Sequence, residues 1–592
     1  MLFLPSDTME QICGRLTKLY GTERQRNLMA RIELLIGRYG LVGECENSDF
    51  GGNWTERDSV LIAYGDMVTD GEEPPLASLR RFLEERVGSA VSTVHVLPFF
   101  PWSSDDGFAV IDYRQVAPEL GGWDEIEDLA GSWRLMVDLV LNHASSASRW
   151  FRSYCIGMAP ERDFFIEVEE GVDLSAVVRP RTSSLLREVQ TPYGRRRVWT
   201  TFSQDQVDLD FSNPDVLFEF LDLLLFYVYK GARVIRLDAI AYLWKEVGTP
   251  CIHLWQTHEI VKLMRDVLSL VGAKVLLLTE TNVPHEENVA YFGKGDEAHM
   301  VYQFSLPPLL LHALHFGNAK YLVGWAKALS APPEGCTYLN FSASHDGIGL
   351  RPLEGLVPKD EVDALIDGIE AQGGMVSRRS NSDGTTTAYE LNASWFSAVA
   401  GGSGTQEAID KFLCSQTVVL GLQGIPAIYF NSLLGAENDV QGVEKTGRAR
   451  TINRRKWTRA EIDELLDTTS QRREKIVFDE YLRRLALRSS QAAFHPDCSQ
   501  RVLDLPRGLF GVVRGEGDPV ERVIMVANVT GKPVTVSQKR LAISSGEAPV
   551  RDLLTDQLFL ERKGVARVTV DAWRVLWLVS SVPRDASDGG SM

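Results

Sequence analysis

The chain has 592 residues, 44% hydrophobic and 24% charged, the balance of a globular protein several times the common domain size; a fibrous, collagen-like or wholly disordered chain is excluded. Lys and Arg number 62 against 80 Asp and Glu, and the net charge of −18 argues against a broad nucleic-acid surface, because phosphate backbones demand clustered cations. Seven scattered cysteines without a CxxC pair read as reduced thiols, neither a disulfide framework nor a zinc site. In chain order, residues 1–55 read as a helical segment whose start, MLFLPSDTMEQ, lacks the basic region of a signal peptide. Strand patterns follow at Val60–Asp66, Val91–Phe100, Arg134–His143, Ala232–Ile240, Lys274–Thr281, Met300–Phe304, Thr337–Asp346 and Ile425–Phe430. Helical patterns lie between most of them. Pro214–Lys230 has Asn213 as its cap and a proline at its first position, and Gln256–Leu270 is a second. The most apolar helical stretch, Leu221–Tyr229, is too short to span a bilayer and is flanked by Glu219 and Lys230. No membrane or nucleic-acid partner is expected, and the cytoplasm is the expected location.

Strand alternating with helix means parallel strands with crossovers, and eight such strands define an α/β fold, a (β/α)8 TIM barrel with its active site at the strand C-terminal ends. The barrel is expected over residues 56–143 and 206–489. Two connections are too long to be simple loops: an inserted domain over 144–205 and an insertion or lid with a helix over 347–424, which includes the polar run Ser377–Thr387. Past 490 the pattern changes to short alternating runs (LFGVVRG, ERVIMVANVT, KPVTVS, VARVTV, WRVLWLVS), a C-terminal all-β domain to 582 followed by a disordered tail, 583–592.

Ionisable residues close several of the strand patterns. The third runs through Asp138 to Asn142-His143, the fourth through Arg236 to Asp238, the fifth ends at Glu280 and the seventh at His345-Asp346. A lone ionisable group after an apolar run is expensive to bury unpaired. Each has a bland reading, Arg236–Asp238 as a satisfied core ion pair for example. Three carboxylates and two imidazoles converging on one barrel mouth are harder to assign to folding alone.

The segments VDLVLNH, RVIRLDAI, LLLTETN and FSASHDG resemble, in order and placement, the four signature regions of the α-amylase superfamily, glycoside hydrolase family 13. The resemblance implies a retaining α-glucosyl enzyme with Asp238 as nucleophile, Glu280 as general acid/base and Asp346 as transition-state stabiliser. Arg236, His143 and His345 would hold the sugar. Retention needs two carboxyls about 5–5.5 Å apart, and neighbouring strands four and five can supply them. Arg236 stands two residues before Asp238, on the same strand face, where its charge favours the ionised nucleophile. Glu280 must be protonated when the leaving group departs, which asks for a raised pKa.

Finer wording selects among superfamily members. HVLPFFPWSSDDGFAVIDY (95–113) resembles the sucrose phosphorylase subfamily, which implies glucose contacts from Asp106 and Phe108. The same resemblance implies phosphate contacts from Arg181 in Arg-Pro-Arg and Arg450 in RTINR, with Tyr389 beside them; guanidinium forks suit phosphate. Glu390 stands where that subfamily has glutamine. The passages 244–263, 279–314 and 438–447 look more like the glucosylglycerate phosphorylases, and the likeness runs from about Ser59 to about Trp577. That implies a small glucoside and inorganic phosphate as partners, with glucosylglycerate phosphorolysed to α-glucose 1-phosphate and D-glycerate. Sucrose 6-phosphate phosphorylase and sucrose phosphorylase are the alternatives, and an α-glucosidase or a non-catalytic amylase-like subunit lies further off. Glu390 would repel glycerate if it faced it: either it turns away onto an arginine, or the acceptor is neutral. Asn142 is similar to a calcium ligand of many amylases, but the phosphorylase resemblance implies no ion, so neither metal nor cofactor is assigned. Trp54, Trp123 and Trp150 read as core or lid anchors rather than sugar platforms.

Overall fold

The computed structural model describes residues 6–41, 53–271, 274–380, 385–401, 406–467, 469, 471–518, 520–543, 549–559 and 567–580. The tail expected to be disordered, 583–592, lies outside them. Eight parallel strands close a barrel: β1 (Val60–Ala63), β2 (Thr93–Val96), β3 (Arg134–Val140), β4 (Ala232–Asp238), β5 (Leu276–Thr279), β6 (Met300–Tyr302), β7 (Thr337–Phe341) and β8 (Ile425–Tyr429). Neighbours in space follow the chain order, and β8 closes on β1. The strands are buried almost end to end, as parallel strands covered by helices must be, which is why they read as continuous apolar runs.

Several sequence patterns overshoot the ladder. The fifth strand stops at Thr279 and the seventh at Phe341, so Glu280 and His345-Asp346 lie just beyond the last paired residues. The ladder ends where the chain must turn away to reach the next helix, and polarity does not mark that point. The helix Pro214–Tyr229 starts as its sequence requires: Asn213 accepts the Asp215 N–H at 2.9 Å, and Pro214 occupies the first turn, where no donor is needed.

Register places the site. Asp138 pairs with Arg236, Val140 with Asp238, and Leu278 with Arg236 across β3, β4 and β5. Inward-facing polar groups on adjacent strands are thus set at one level.

Between β3 and β4 the chain forms the helix Arg149–Cys155 and a hairpin of Leu186–Thr191 with Gly194–Trp199. His143–Ser145 pairs with Gln206–Asp208, tying this excursion to the barrel rim. Between β7 and β8, Ile348–Gly349 joins a three-stranded sheet with Thr386–Asn392 and Met375–Ser380. After the barrel, a six-stranded sheet and a two-stranded ribbon share their own apolar cluster around Leu509, Val526, Val568 and Leu578. Of the three tryptophans read as anchors, Trp54 donates to Asp497 at 2.7 Å, Trp123 to the Arg114 carbonyl at 2.8 Å, and Trp150 stacks on Tyr113. Among the described residues no helix is long and apolar enough to cross a membrane.

Candidate active site

Arg236 is the centre of the site. It is buried, and its Nη1 donates to Asp138 and, at 2.7 Å, to Asp238 Oδ1, while Nη2 stands 4.0 Å from Glu280 Oε2. Asp138 is held on its other side by His95 Nε2 at 2.7 Å. Burial pushes the Asp138 carboxyl up, but Arg236 and His95 outweigh it and hold it below the ordinary range. Asp138 is therefore a fixed anion that orients the guanidinium.

Asp238 and Glu280 form a coupled pair. Burial raises both, and Glu280 is raised further by Asp346. Two adjacent carboxyls in one dry pocket hold a proton between them. Burial lifts the Asp238 carboxyl more strongly than that of Glu280, but Arg236 touches Asp238 directly and Glu280 only at 4.0 Å, a contact that favours the charge on Asp238 and the proton on Glu280. The Ala239 N–H donates to Glu280 Oε2 at 2.9 Å and fixes the carboxyl's position.

Asp346 differs. Burial would raise its carboxyl, yet His345, Arg450, Arg236 and Arg454 overcome that and keep it ionised well below the usual range. Its Oδ1 lies 2.6 Å from Arg450 Nη1. Burial pushes His345 far down against the pull of Asp346; its ring stacks on Phe108 at 4.9 Å and 7°. His143 is also lowered by burial, and pairing assigns its tautomer: Nε2–H donates to the Phe108 carbonyl at 2.8 Å while Nδ1 accepts from Asn142 at 3.2 Å.

These groups face one cavity at the barrel mouth. Its wall includes Phe108, His143, Arg181, Arg236, Asp238, Glu280, His345, Asp346, Tyr389, Glu390 and Arg450, so eleven of the twelve residues singled out in the sequence meet there. Asp106 is the exception. Its carboxylate is turned onto Arg448 at 2.7 Å and Arg454 at 2.5 Å, and Asp105 takes the place on the wall. The D-x-G-F spacing itself fits Asp105, with Gly107 and Phe108 following. Gly107 has φ +112° and a Cβ there would fall 2.7 Å from the Pro98 carbonyl, so only glycine permits this turn.

Glu390 stands on the cavity wall, but its carboxylate is engaged within the protein. It is 1% exposed and grips Arg450 in a two-pronged pair, Nε to Oε1 at 3.0 Å and Nη2 to Oε2 at 2.7 Å. Gly347 makes this possible: a Cβ there would lie 2.4 Å from Glu390 Cγ. Arg450 is thus shared by two carboxylates. Arg181 has no carboxylate partner among the described residues, and its guanidinium lies 5.7 Å from the Tyr389 ring centroid.

A residue the sequence reading missed lies behind His143. The Lys245 ammonium, 3% exposed, sits 2.6 Å from Asn142 Oδ1 and 2.5 Å from Asp208 Oδ2. Asp208 also accepts from the Thr201 N–H at 2.9 Å. The donors that Asn142 suggested for calcium are already filled by a cation of the chain itself, so they do not fit the ion. Sequence spacing gives no hint of this, because Asn142, Asp208 and Lys245 come from three separate segments.

The amylase catalytic-domain family model matches residues 88–328. Glucosylglycerate phosphorylase of Spirochaeta thermophila is 44% identical over 97% of this chain and 98% of its own. Sucrose phosphorylase of Bifidobacterium adolescentis is 32% identical over 69% and 81%. The crystal structure of sucrose 6F-phosphate phosphorylase from Thermoanaerobacter thermosaccharolyticum superposes with a TM-score of 0.70 at 24% identity, covering 80% of this chain and 94% of that one. The chain belongs to the α-amylase superfamily, in its branch of glycoside phosphorylases.

Proposed function

We propose that this protein is a retaining phosphorylase that converts 2-O-α-D-glucosyl-D-glycerate and phosphate to α-D-glucose 1-phosphate and D-glycerate. The observation that carries it is the single guanidinium, Arg236, bordering both carboxyls, bonded to Asp238 and 4.0 Å from Glu280. That arrangement divides the pair into a charged nucleophile and a protonated acid, the two states that double displacement requires.

In the first half, Asp238 attacks the anomeric carbon from the β face as the bond to the glyceryl oxygen breaks. Glu280 gives its proton to that oxygen, and glycerate leaves. Asp346, kept anionic by its cationic neighbours, faces the positive charge that develops on the ring. Phe108, Asp105, His143 and His345 surround the glucosyl unit. In the second half, phosphate enters where glycerate left, gives a proton to Glu280 and attacks the anomeric carbon, releasing Asp238. Inversion twice yields the α-phosphate ester.

Arg181 is the guanidinium available to hold phosphate, and Tyr389 lies against it. Arg450 contributes positive charge beside Asp346 but is largely committed to Glu390. The charge of Glu390 is paired with Arg450, which supports an anionic acceptor despite the carboxylate on the wall. The likeness to glucosylglycerate phosphorylase over nearly the full length supports glycerate as acceptor. The free cysteines Cys155, Cys251, Cys336 and Cys414 agree with a reducing, cytoplasmic setting.

The test runs the enzyme backwards. α-Glucose 1-phosphate is offered with glycerate, fructose, fructose 6-phosphate or glycerol, and released phosphate is measured. Glycerate is expected to win by a large factor, since a site built for a carboxylate is left unpaired by its neutral analogues. Highest activity on fructose 6-phosphate would move the assignment to the sucrose 6-phosphate enzymes. Glucose release that is as fast without phosphate as with it would make the protein an α-glucosidase.

A further inference from the structure

The arginines packed around the nucleophile are each held by a close carboxylate. Arg236, Arg450 and Arg454 each meet at least one carboxylate at 2.7 Å or closer. Arg351 is not like them. Its side chain is only 15% exposed, and its Nε is buried without a hydrogen-bond partner. The nearest carboxylate, Glu287, stands 3.7 Å away, is 42% exposed, and is also engaged by His253 at 3.1 Å. A largely buried guanidinium with an unmet donor is costly. Among the described residues no carboxylate stands closer to it than 3.7 Å.

Its position suggests one. Arg351 opens the short turn Arg351–Leu353, two residues beyond Gly349. Gly349 lines the catalytic cavity and presses on Asn282, so closely that a Cβ would fall 2.6 Å from Asn282 Oδ1. Asn282 lines the same cavity, two residues past Glu280, and its Oδ1 is likewise buried with no partner. Burial raises the Tyr242 hydroxyl and Tyr389 adds to that, while Arg351, and after it Arg181, pull it back. One phenol therefore senses both arginines together with Glu280.

We propose that Arg351, with Asn282 beside it, is a specificity-determining pair that receives the acceptor: the guanidinium takes the carboxylate of a small hydroxy acid and the amide oxygen takes a hydroxyl. Arg181 then serves phosphate and Arg351 serves the organic anion, so each half-reaction has its own cation. A planar fork of donors matches a carboxylate, and a free Nε leaves one edge of the fork open. The inference deepens the function proposed above and rests on it.

Reverse reactions with α-glucose 1-phosphate, comparing glycerate with glycerol, test it; the two acceptors differ only in the carboxylate. Arg351→Gln is expected to lower the ratio of kcat/KM for glycerate over glycerol at least tenfold, mainly through KM, and Arg351→Lys to recover part of it. Glu287→Gln, which removes the competing charge, is expected to raise that ratio at least twofold. If Arg351→Gln lowers both acceptors equally, or leaves the ratio where it was, the arginine is structural and the inference falls. Should Arg351→Gln not fold, an unmoved ratio in Glu287→Gln overturns it instead. A wild-type enzyme that prefers a neutral acceptor would refute the glucosylglycerate reading itself, a result visible before any variant is made.

Discussion

The charged groups on the barrel-strand side of the cavity are tightly ion-paired, whereas the side made from excursions of the chain includes two guanidiniums without a close carboxylate among the described residues. Asp138 and Arg236 sit level on adjacent strands, with His95 two positions below and Asp238 two above in register, each holding the next. Arg181, Tyr389 and Arg351 come from the segments between β3 and β4 and between β7 and β8, and neither of these two guanidiniums has a carboxylate closer than 3.7 Å among the described residues. Paired groups are fixed before substrate arrives, so they suit bond making and breaking. Open cations suit ligands that come and go, as two different anions must in one catalytic cycle.

Substitutions can break this division, and the largest effect is expected at its centre. Asp238→Asn removes the nucleophile, and kcat is expected to fall on the order of 10⁴-fold or more in both directions, with every acceptor alike. A loss confined to one acceptor would mean that Asp238 is not part of the shared machinery.

Glu280→Gln is expected to cost about 10²–10⁴-fold with natural glucosides. An activated donor such as α-glucosyl fluoride needs no proton to leave, so the variant should accumulate a glucosyl ester on Asp238, read by mass spectrometry of digested protein. An unlabelled Asp238 would refute double displacement. The pH profile gives the same residue a second reading. Burial, and Asp346 after it, raise the Glu280 carboxyl, so its proton is present at low pH and lost as pH rises through the folded-state value. The kcat/KM of wild type therefore falls on the alkaline side, and so does this group's contribution to stability.

Arg181→Ala probes the open side. Losing one charged contact to phosphate costs about 1.5–3 kcal/mol, a fall of roughly 10- to 150-fold in kcat/KM for phosphate, while slow hydrolysis of the glucosyl-enzyme continues. Equal losses of hydrolysis and phosphorolysis would place Arg181 in the paired half instead.

Glu390→Gln should move acceptor choice least, less than twofold, because the side chain faces Arg450. Its effect belongs to stability: half-emptying a buried ion pair costs about 3 kcal/mol or more, measured by urea unfolding. A large rise in the use of neutral acceptors would put Glu390 in the acceptor site after all.

The barrel was legible because parallel buried strands leave long apolar runs, and the carboxylates proposed as catalytic stood out as acids at the ends of such runs. The partnerships were not. Glu390 and Arg450 are 60 positions apart and Asp106 and Arg454 are 348 apart, so no periodicity connects them. Asp105 and Asp106 are adjacent acids with positive φ, and which one faces the sugar depends on how the Gly107 turn folds under Pro98. Arg351 and Lys245 carried no signal at all, since each is defined by what does or does not surround it.

Lys245 has a further consequence. A divalent ion in such a cradle would come and go with the free concentration around it, and removing it with a chelator would loosen Asn142, Asp208 and Thr201 together. An ammonium on a side chain has already surrendered its translational freedom to the backbone, and its local concentration cannot be diluted. The fixing of His143 through Asn142 is therefore a property of the polypeptide alone, indifferent to the calcium level of whatever compartment holds it.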